Sequence, residues 1–329
     1  MSLTLPVALA DVFAARKRIA GHVRRTLLVD CGWLTRTTGT HVALKVETLQ
    51  VTSSFKARGA LNAAMRLHDG RGRDATIVTA SAGNHGRAIA WAAERLGMRA
   101  IVFTPRDAPK AKTDAIRRHG ADLRADAASY EDAERLAKAW AAESGHTFIS
   151  PYDHPDVIAG AGTIGIELME DDPGLEVVVV PLGGGGLVSG IAVAMAGLAP
   201  SVAVIGVEAQ ASNAFAAARM AGRIVPIDVG HTIADGLGGN VDPQTITWPF
   251  IRDLVQDVAI VPEPRLRQTI RDLAAEEHLV AEGAGIAAVA AIAGNQVALN
   301  GRRAAAILSG ANIDVARLAS LLAAEDQSK

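Results

Sequence analysis

The feature that most constrains the fold is an unbroken apolar run at residues 177–181, which is followed by four consecutive glycines. A strand with one face in water alternates apolar and polar side chains, whereas this run is apolar at every position. It therefore predicts a strand buried on both faces, as in parallel sheets that are covered by helices on each side. The apolar stretch at 187–197 predicts one of those covering helices.

The same alternation of strands and helices runs along most of the chain and predicts parallel βαβ units in an α/β fold. The series breaks near residue 70 and again near residue 150. We therefore predict a small α/β domain at 71–149, inserted into a larger domain made of residues 1–70 and 150–329. A ligand cleft would lie between the two domains. The segment 209–257 shows no clear period and is predicted to be irregular.

Lys56 lies at the predicted start of a helix that follows an apolar strand at 42–46. The three hydroxyl residues at 52–54 could cap this helix through their side-chain oxygens. A cation in the first turn faces the positive end of the helix dipole, and Phe55 beside it limits hydration. Both effects should lower the pKa of the amine, and a neutral amine is the form that attacks an aldehyde. The alternative interpretation is a solvated lysine at a helix start.

The four glycines are predicted to bind a phosphate group. Without Cβ atoms the backbone can approach a ligand closely, and the free N–H groups at a helix start favour a dianion. A nicotinamide dinucleotide is the alternative, because Glu208 stands where a ribose-binding acid is expected, about 20 residues on. However, Ser189 occupies the place of the third glycine or alanine in the Gly-x-Gly-x-x-Gly pattern. The spacing therefore favours a phosphate site over a dinucleotide site.

Two further loops follow predicted strands in the same way, at 81–86 and at 309–312. In the first, the backbone N–H groups, the Ser81 hydroxyl and the Asn84 amide suit a carboxylate, although plain helix capping is the alternative. Ligands of open parallel sheets collect at the carboxyl ends of the strands. All of these loops should lie at such ends.

The composition excludes several classes of function. A net charge of −2 over 329 residues gives no electrostatic reason to expect nucleic acid or an anionic membrane as partner. Cys31 is the only cysteine, which rules out an intramolecular disulfide. No apolar run approaches the ~18 residues that cross a bilayer, and the zinc-hydrolase, serine-hydrolase and nucleotide-phosphate motifs are absent. We therefore expect a cytoplasmic protein that acts on a small molecule.

Taken together, these segments resemble the fold-type II pyridoxal-phosphate enzymes, specifically the threonine dehydratase and serine racemase group. The resemblance covers nearly the whole chain and rests on motifs at 45–47, 52–60, 81–86, 157–163, 183–187, 232–237, 247–249, 282–285 and 309–312. It implies the tryptophan synthase β-like fold, with two open, mostly parallel, twisted sheets flanked by helices. It also implies a homodimer.

The resemblance implies a role for each of several residues. Lys56 would carry pyridoxal 5'-phosphate as a Schiff base, and Phe55 would flank its ring. Asn84 would bond the 3' oxygen, Glu282 would lie beside the ring and Ser309 would face the pyridine nitrogen. The phosphate would be held by Gly183, Gly184, Gly185, Gly186 and Leu187, and the substrate carboxylate by Ser81, Asn84 and His85.

The implied reaction is the dehydration of a β-hydroxy amino acid to a 2-oxo acid and ammonia. A hydroxyl at Ser309 would not keep the pyridine protonated, and we infer that expulsion of the β-hydroxyl then competes well with reprotonation. Threonine or serine is the expected substrate; phenylserine and 3-hydroxyaspartate are alternatives. Ala82 stands where racemising members of the family carry a second hydroxyl, so we expect weak racemisation, with a racemase as the alternative within the family.

Two further departures from the family pattern concern a metal and the pocket. Glu208 matches an acid that helps to bind a divalent cation in related enzymes, but residues 209–214 lack the second carboxylate. We therefore expect no metal site, with Glu208 as the one candidate ligand. Ser53 replaces the glycine that usually precedes the Ser-Phe-Lys triplet, which could alter the pocket.

Overall fold

The computed structural model describes residues 5–323. Its strands are β1 (Leu28–Asp30), β2 (Val42–Val46), β3 (Thr76–Ala80), β4 (Arg99–Pro105), β5 (Asp122–Ala127), β6 (Thr147–Phe148), β7 (Val177–Pro181), β8 (Ala203–Ala209), β9 (Asp257–Val261) and β10 (Ala304–Leu308). Its α-helices are α1 (Leu9–Ile19), α2 (Gly32–Thr38), α3 (Lys56–Arg71), α4 (Asn84–Leu96), α5 (Lys110–Arg117), α6 (Tyr130–Glu143), α7 (Pro155–Asp171), α8 (Gly186–Leu198), α9 (Ala214–Ala221), α10 (Thr247–Leu254), α11 (Glu263–Glu276), α12 (Ala287–Ala293) and α13 (Val315–Ala323). Short 3-10 turns occur at Glu47–Leu49 and Asp235–Leu237.

The strands form two sheets, with the orders β1-β2-β10-β7-β8-β9 and β5-β4-β3-β6. Neighbouring strands are parallel except for the edge pair β1 and β2, which is antiparallel. The strand β7 lies inside the larger sheet between β10 and β8, and all of its residues are buried. The predicted fold class is confirmed, and the apolar run at 177–181 forms the expected central strand.

The helices α3 and α7 approach each other closely where glycines face the opposite backbone. A Cβ atom on Gly59 would lie 2.6 Å from the carbonyl oxygen of Val157, and one on Gly160 would lie 2.7 Å from that of Arg58. Such distances are shorter than a non-bonded carbon–oxygen contact allows, so only glycine permits this packing. The contact fixes the first turn of α3, which carries Lys56, against α7.

The smaller sheet uses strands that all fall between residues 76 and 148, and the larger sheet uses the strands before and after them. The domain boundaries at 70 and 150 stay a prediction. The prediction of an irregular segment at 209–257 is wrong in part, because α9 and α10 lie within it. Alanine favours helix in α9, and an apolar face of α10 packs on the core. Across residues 5–323, no helix combines the length and the apolar character that a bilayer crossing requires.

Candidate active site

The loops that follow β3, β7 and β10 lie at the carboxyl ends of parallel strands, as predicted. The loop after β10 is bonded to the segment that precedes Lys56. The backbone N–H of Phe55 donates to the carbonyl oxygen of Ser309 at 3.0 Å, and the N–H of Ala311 donates to that of Ser53 at 2.9 Å. These bonds place the start of α3 beside the end of β10.

Lys56 is the first residue of α3, and its amine lies close to the main chain of another segment. The Nζ atom donates to the carbonyl oxygen of Pro151 at 2.7 Å and lies 5.0 Å from the ring centroid of Phe55. Within the described residues, no carboxylate forms an ion pair with this amine. Burial lowers the pKa of Lys56 to about 8, and the negative charge of Glu282 acts in the opposite direction. A useful fraction of the amine is therefore neutral near pH 8.

The predicted capping of α3 by a hydroxyl side chain is wrong. Phe55 stands at the N-cap position with helical dihedral angles, and no side chain caps this helix. The Ser54 hydroxyl is buried without a hydrogen-bond partner within the described chain. Ser53 adopts φ 58°, in the left-handed region that favours glycine. This backbone conformation explains why a glycine suits position 53.

The glycine loop after β7 presents free donors. The N–H groups of residues 183–187 make no hydrogen bond to the rest of the described chain, because the first bond of α8 is donated by Ser189 to the Gly185 carbonyl. Gly185 has φ 91°, and a Cβ atom on Gly184 would lie 2.2 Å from Cγ of Tyr152. Glycine is therefore required at both positions, and the resulting cradle suits a dianion.

Two adjacent residues, Pro151 and Tyr152, contact both Lys56 and the glycine loop. Pro151 accepts the hydrogen bond from the Lys56 amine, and the next residue, Tyr152, packs its ring on Gly184. Phe55 packs on the apolar cluster that contains Leu187, the residue directly after the four glycines. The amine and the predicted phosphate cradle therefore belong to one site.

On the side of β10, Asn84 and Glu282 contact each other beside Gly310. The Nδ2 atom of Asn84 donates to Oε1 of Glu282, and a Cβ atom on Gly310 would lie 2.3 Å from the same oxygen. Burial raises the pKa of Glu282 to about 7, while the Asn84 bond acts in the opposite direction. Ser309 is buried, and its hydroxyl makes no hydrogen bond within residues 5–323. It is available to a ligand.

The loop after β3 gives Ser81 and His85 different surroundings. The Ser81 hydroxyl accepts a hydrogen bond from the N–H of Gly83 at 3.1 Å. The His85 ring is buried, with Nε2 3.3 Å from the carbonyl oxygen of Ile149 and Nδ1 without a partner in the described chain. Burial and the nearby charge of Lys56 lower the pKa of His85 to about 3, so the ring is neutral. The backbone N–H of His85 lies in the first turn of α4, where a helix leaves its N–H groups without partners.

Glu208 caps a helix that the sequence did not reveal. Its two carboxylate oxygens accept the backbone N–H groups of Phe215 and Ala216, each at 2.8 Å, at the start of α9. In the described part of the chain, no group of three or more His, Cys, Asp or Glu side chains is arranged to hold a metal ion.

The pairing of two polar groups near the site was missed by the sequence reasoning. Arg87 and Asn312 lie 225 positions apart, and Nη1 of Arg87 donates to Oδ1 of Asn312. Asn312 in turn donates to Oδ1 of Asn84 at 2.6 Å. Both residues belong to predicted loops or their flanks, but a pairing across such a separation leaves no local pattern.

A buried ionic cluster behind Lys56 was also missed. Arg58 is 1% exposed and binds the carboxylates of both Glu47 and Glu167, and Glu167 also pairs with Lys45 at 2.9 Å. The available signal was the pair of charged residues at 45 and 47, at the end of an otherwise apolar strand.

Comparison with known proteins identifies the family of this chain. A model of the family described as pyridoxal-phosphate dependent enzymes matches residues 19–310. An L-threonine ammonia-lyase from Thermotoga maritima is 38% identical over 309 residues, which cover 94% of this chain and 76% of that protein. An L-threo-3-hydroxyaspartate ammonia-lyase from a Pseudomonas species is 39% identical over 317 residues, 95% and 97% of the two chains. The structure of maize serine racemase superposes with a TM-score of 0.89 at 30% identity, covering 96% and 98%.

Proposed function

The chain belongs to the family of pyridoxal-phosphate-dependent enzymes, and on that premise we propose that it is an ammonia-lyase for a β-hydroxy amino acid. The substrate is threonine or serine, and the products are a 2-oxo acid and ammonia. The observation that carries this proposal is the location of a desolvated lysine beside a cradle of free backbone donors. The names of the related ammonia-lyases support it.

The residues fit the cofactor by their chemistry. The free N–H groups of residues 183–187 suit its dianionic phosphate, and the amine of Lys56 suits its aldehyde. Phe55 provides an apolar surface beside the amine, and the Asn84 amide provides a donor for the ring oxygen. The unbonded hydroxyl of Ser309 suits a neutral pyridine nitrogen. When bound, this cofactor stabilises negative charge at the Cα atom of an amino acid.

Proton removal is the role of Lys56, and binding of the substrate carboxylate is the role of the loop at 81–86. With the substrate amine on the cofactor, the free Nζ of Lys56 would remove the Cα proton, because its low pKa leaves a useful fraction of it neutral near pH 8. The substrate carboxylate binds the Ser81 hydroxyl and the backbone N–H groups at the start of α4, those of Asn84 and His85. The neutral ring of His85 does not serve as a cationic partner for this carboxylate.

Elimination is favoured over racemisation by the residue at position 82. Racemisation requires a proton donor on the face of Cα opposite Lys56, and the alanine side chain has no ionisable group or hydroxyl. The related ammonia-lyases support threonine and 3-hydroxyaspartate as substrates to be compared, whereas the similar fold of maize serine racemase supports racemisation as the alternative.

The test uses purified protein that has been supplied with pyridoxal phosphate. We expect a visible absorption band from the lysine-bound cofactor and the release of 2-oxo acid and ammonia from threonine or serine. Phenylserine and 3-hydroxyaspartate are included in the panel, and chiral chromatography measures the inversion of each substrate. Fast inversion without 2-oxo acid would identify a racemase, and the lack of any cofactor band would refute the whole proposal.

A homodimer in the cytoplasm is part of the same proposal. The free, buried thiol of Cys31 suits a reducing compartment. Leu27 and Leu49 are 59% and 45% exposed near the edge strand β1, and such side chains suit a surface between two copies. Light scattering tests the oligomeric state, and cell fractionation tests the location.

A further inference from the structure

Four polar side chains form a continuous series of hydrogen bonds that ends at the buried carboxyl group of the site. Arg87 donates through Nη1 to Oδ1 of Asn312, whose Nδ2 donates to Oδ1 of Asn84 at 2.6 Å. The Nδ2 atom of Asn84 then donates to Oε1 of Glu282. We call Arg87, Asn312, Asn84 and Glu282 the amide chain.

The direction of these bonds is set by the arginine. The two ends of an asparagine amide have the same shape but opposite hydrogen-bonding character, so their neighbours decide which end points where. A guanidinium group has five N–H donors and no acceptor. Asn312 must therefore turn its oxygen toward Arg87 and its NH₂ group toward Asn84. As a result, Asn84 must turn its own oxygen toward Asn312 and its NH₂ group toward Glu282.

A second contact holds Asn312 in the same orientation. Its Nδ2 atom also donates to the carbonyl oxygen of Thr52 at 2.9 Å, four residues before Lys56. A backbone carbonyl can only accept, so a reversed amide would lose this bond as well as the one from Arg87. Two independent neighbours thus require the same end of the Asn312 amide to face the site.

Arg87 has little alternative to this role. Its Nε atom is buried without a hydrogen-bond partner in the described chain. Burial and the positive charge of Arg118 lower the pKa of Arg87, but a guanidinium group remains protonated in proteins. A partly buried cation with one unsatisfied nitrogen lowers the stability of the folded protein. The bond from Arg87 to Asn312 therefore points to a role other than stability.

We propose that Arg87 and Asn312 are positioning residues that fix which end of the Asn84 amide faces Glu282 and the cofactor. The inference rests on the proposed use of pyridoxal phosphate. With the observed orientation, Asn84 offers N–H groups to Glu282 and to the oxygen on the cofactor ring. With the amide reversed, a carbonyl oxygen would face these acceptors, and Glu282 could keep its contact only by holding a proton.

The charges around Glu282 come from several elements. Lys56 of α3 and Lys112 of α5 favour its ionised form, whereas Asp235 of the 3-10 turn disfavours it. Asp314 and Arg317 line the cavity of about 140 Å³ beside it, together with Lys112, Asp235 and Asn312. The N–H of Asn84 adds to the groups that favour ionisation, so its reversal should raise the pH at which Glu282 loses its proton.

The decisive variant is Asn312→Asp, which keeps the shape but can only accept from both Arg87 and Asn84. We expect the Asn84 amide to reverse and Glu282 to hold its proton to a higher pH. Infrared spectroscopy of the cofactor-free protein measures this through the carboxylic acid C=O band, which is assigned to Glu282 by its loss in Glu282→Gln. We also expect the dissociation constant of pyridoxal phosphate to rise about tenfold, as for the loss of one buried hydrogen bond.

Three arginine variants distinguish the orienting effect of the Arg87 donors on the amides from the effect of positive charge alone. Arg87→Lys keeps a group that only donates and should retain the wild-type titration of Glu282, whereas Arg87→Met should shift it in the same direction as Asn312→Asp. The matched control is Arg118→Met, which removes a positive charge near Arg87 but no donor to Asn312. It should leave the titration and the cofactor affinity unchanged.

The outcomes distinguish this inference from the proposed function. If Asn312→Asp and Arg87→Met titrate like the wild type, or if Arg118→Met shifts as much as Arg87→Met, the positioning role is refuted. If the wild type binds no pyridoxal phosphate, the proposed function fails, and the infrared titration of the cofactor-free protein still decides whether Arg87 sets the amide orientation.

Discussion

The first turn of α3 carries two cations in opposite surroundings. Successive helical residues are about 100° apart, so Lys56 and Arg58 point to opposite sides of the helix. Arg58 is enclosed by the carboxylates of Glu47 and Glu167, with Nη1 2.6 Å from the latter. Within the described residues, the Lys56 amine donates one hydrogen bond, to the Pro151 carbonyl, lies beside the Phe55 ring and forms no ion pair.

The difference shows how one turn of helix can hold a structural cation and a reactive one. Burial disfavours charge at both sites, but Glu47 and Glu167 raise the pKa of Arg58 above its usual value in spite of it. The Lys56 amine has no comparable partner, and burial lowers its pKa to about 8. A buried cation with carboxylates stays charged and inert, whereas one without them becomes a nucleophile.

The largest expected effect comes from removing the reactive cation. Lys56→Ala should reduce the rate of 2-oxo acid release about 10⁴-fold, because both the attacking amine and the base are lost. The absorption band of the lysine-bound cofactor should disappear. Initial rates and visible spectra measure these changes, and the urea midpoint should stay near the wild-type value. A variant that keeps more than a tenth of the activity would contradict the assignment.

The structural cation can be removed in the same way. Arg58→Met should lower the free energy of unfolding by about 3–5 kcal/mol, since it leaves the buried carboxylate of Glu47 without a cation and that of Glu167 with Lys45 alone. Urea unfolding followed by circular dichroism measures the loss. Arg25→Met is the matched control, because Arg25 is 48% exposed and its pairing with Glu170 and Asp171 should contribute at most about 1 kcal/mol. Equal losses of unfolding free energy in the two variants would show that the buried Arg58 stabilises the protein no more than the exposed Arg25.

The pH dependence of Lys56 sharpens the comparison. Only the neutral amine reacts, so the rate at which the cofactor-free protein binds pyridoxal phosphate should rise about tenfold per pH unit below 8 and level off above it. Stopped-flow absorption follows this rate. A plateau that begins only near the ordinary value of lysine, about 10.4, would show that burial does not tune this amine.

The smallest expected effect comes from Glu208. This buried carboxyl group is intermediate between the two cations of α3, because its partners are backbone N–H donors and not a charged group. Burial raises the pKa of Glu208 to about 7, and the N–H groups of Phe215 and Ala216 act in the opposite direction. Because the folded pKa lies above the ordinary value of 4.5, its stabilising contribution is full below 4.5 and is lost as the pH rises through 7.

Glu208→Gln should therefore destabilise the protein by about 1 kcal/mol in acid, where one acceptor for the α9 start is lost. The difference from the wild type should shrink as the pH rises from about 4.5 to 7, because the wild type loses stability over this range whereas glutamine does not ionise. Thermal unfolding over a pH series measures both variants. A difference that grows with pH would mean that the ionised carboxylate is the better cap.

The parts of the site that sequence alone predicts are those with local signals. Lys56 follows a strand and opens a helix, and the glycines at 183–186 stand between an apolar strand and an apolar helix. What escaped prediction depends on distant contacts. Nothing within a few residues of Arg87 indicates that its partner is Asn312, and Arg58 finds Glu167 only because α3 packs on α7. The predicted side-chain cap of α3 is wrong because Ser53 adopts a left-handed backbone conformation, which a serine in the sequence does not indicate.

The resting partner of the Lys56 amine is a peptide oxygen, that of Pro151. No codon change deletes a main-chain carbonyl, so point mutations at position 151 would leave this acceptor in the molecule. The side chain at position 151 can therefore change while the amine keeps its hydrogen-bond acceptor. Loss of the activity by single mutations should consequently map to Lys56 and to the glycines far more often than to position 151.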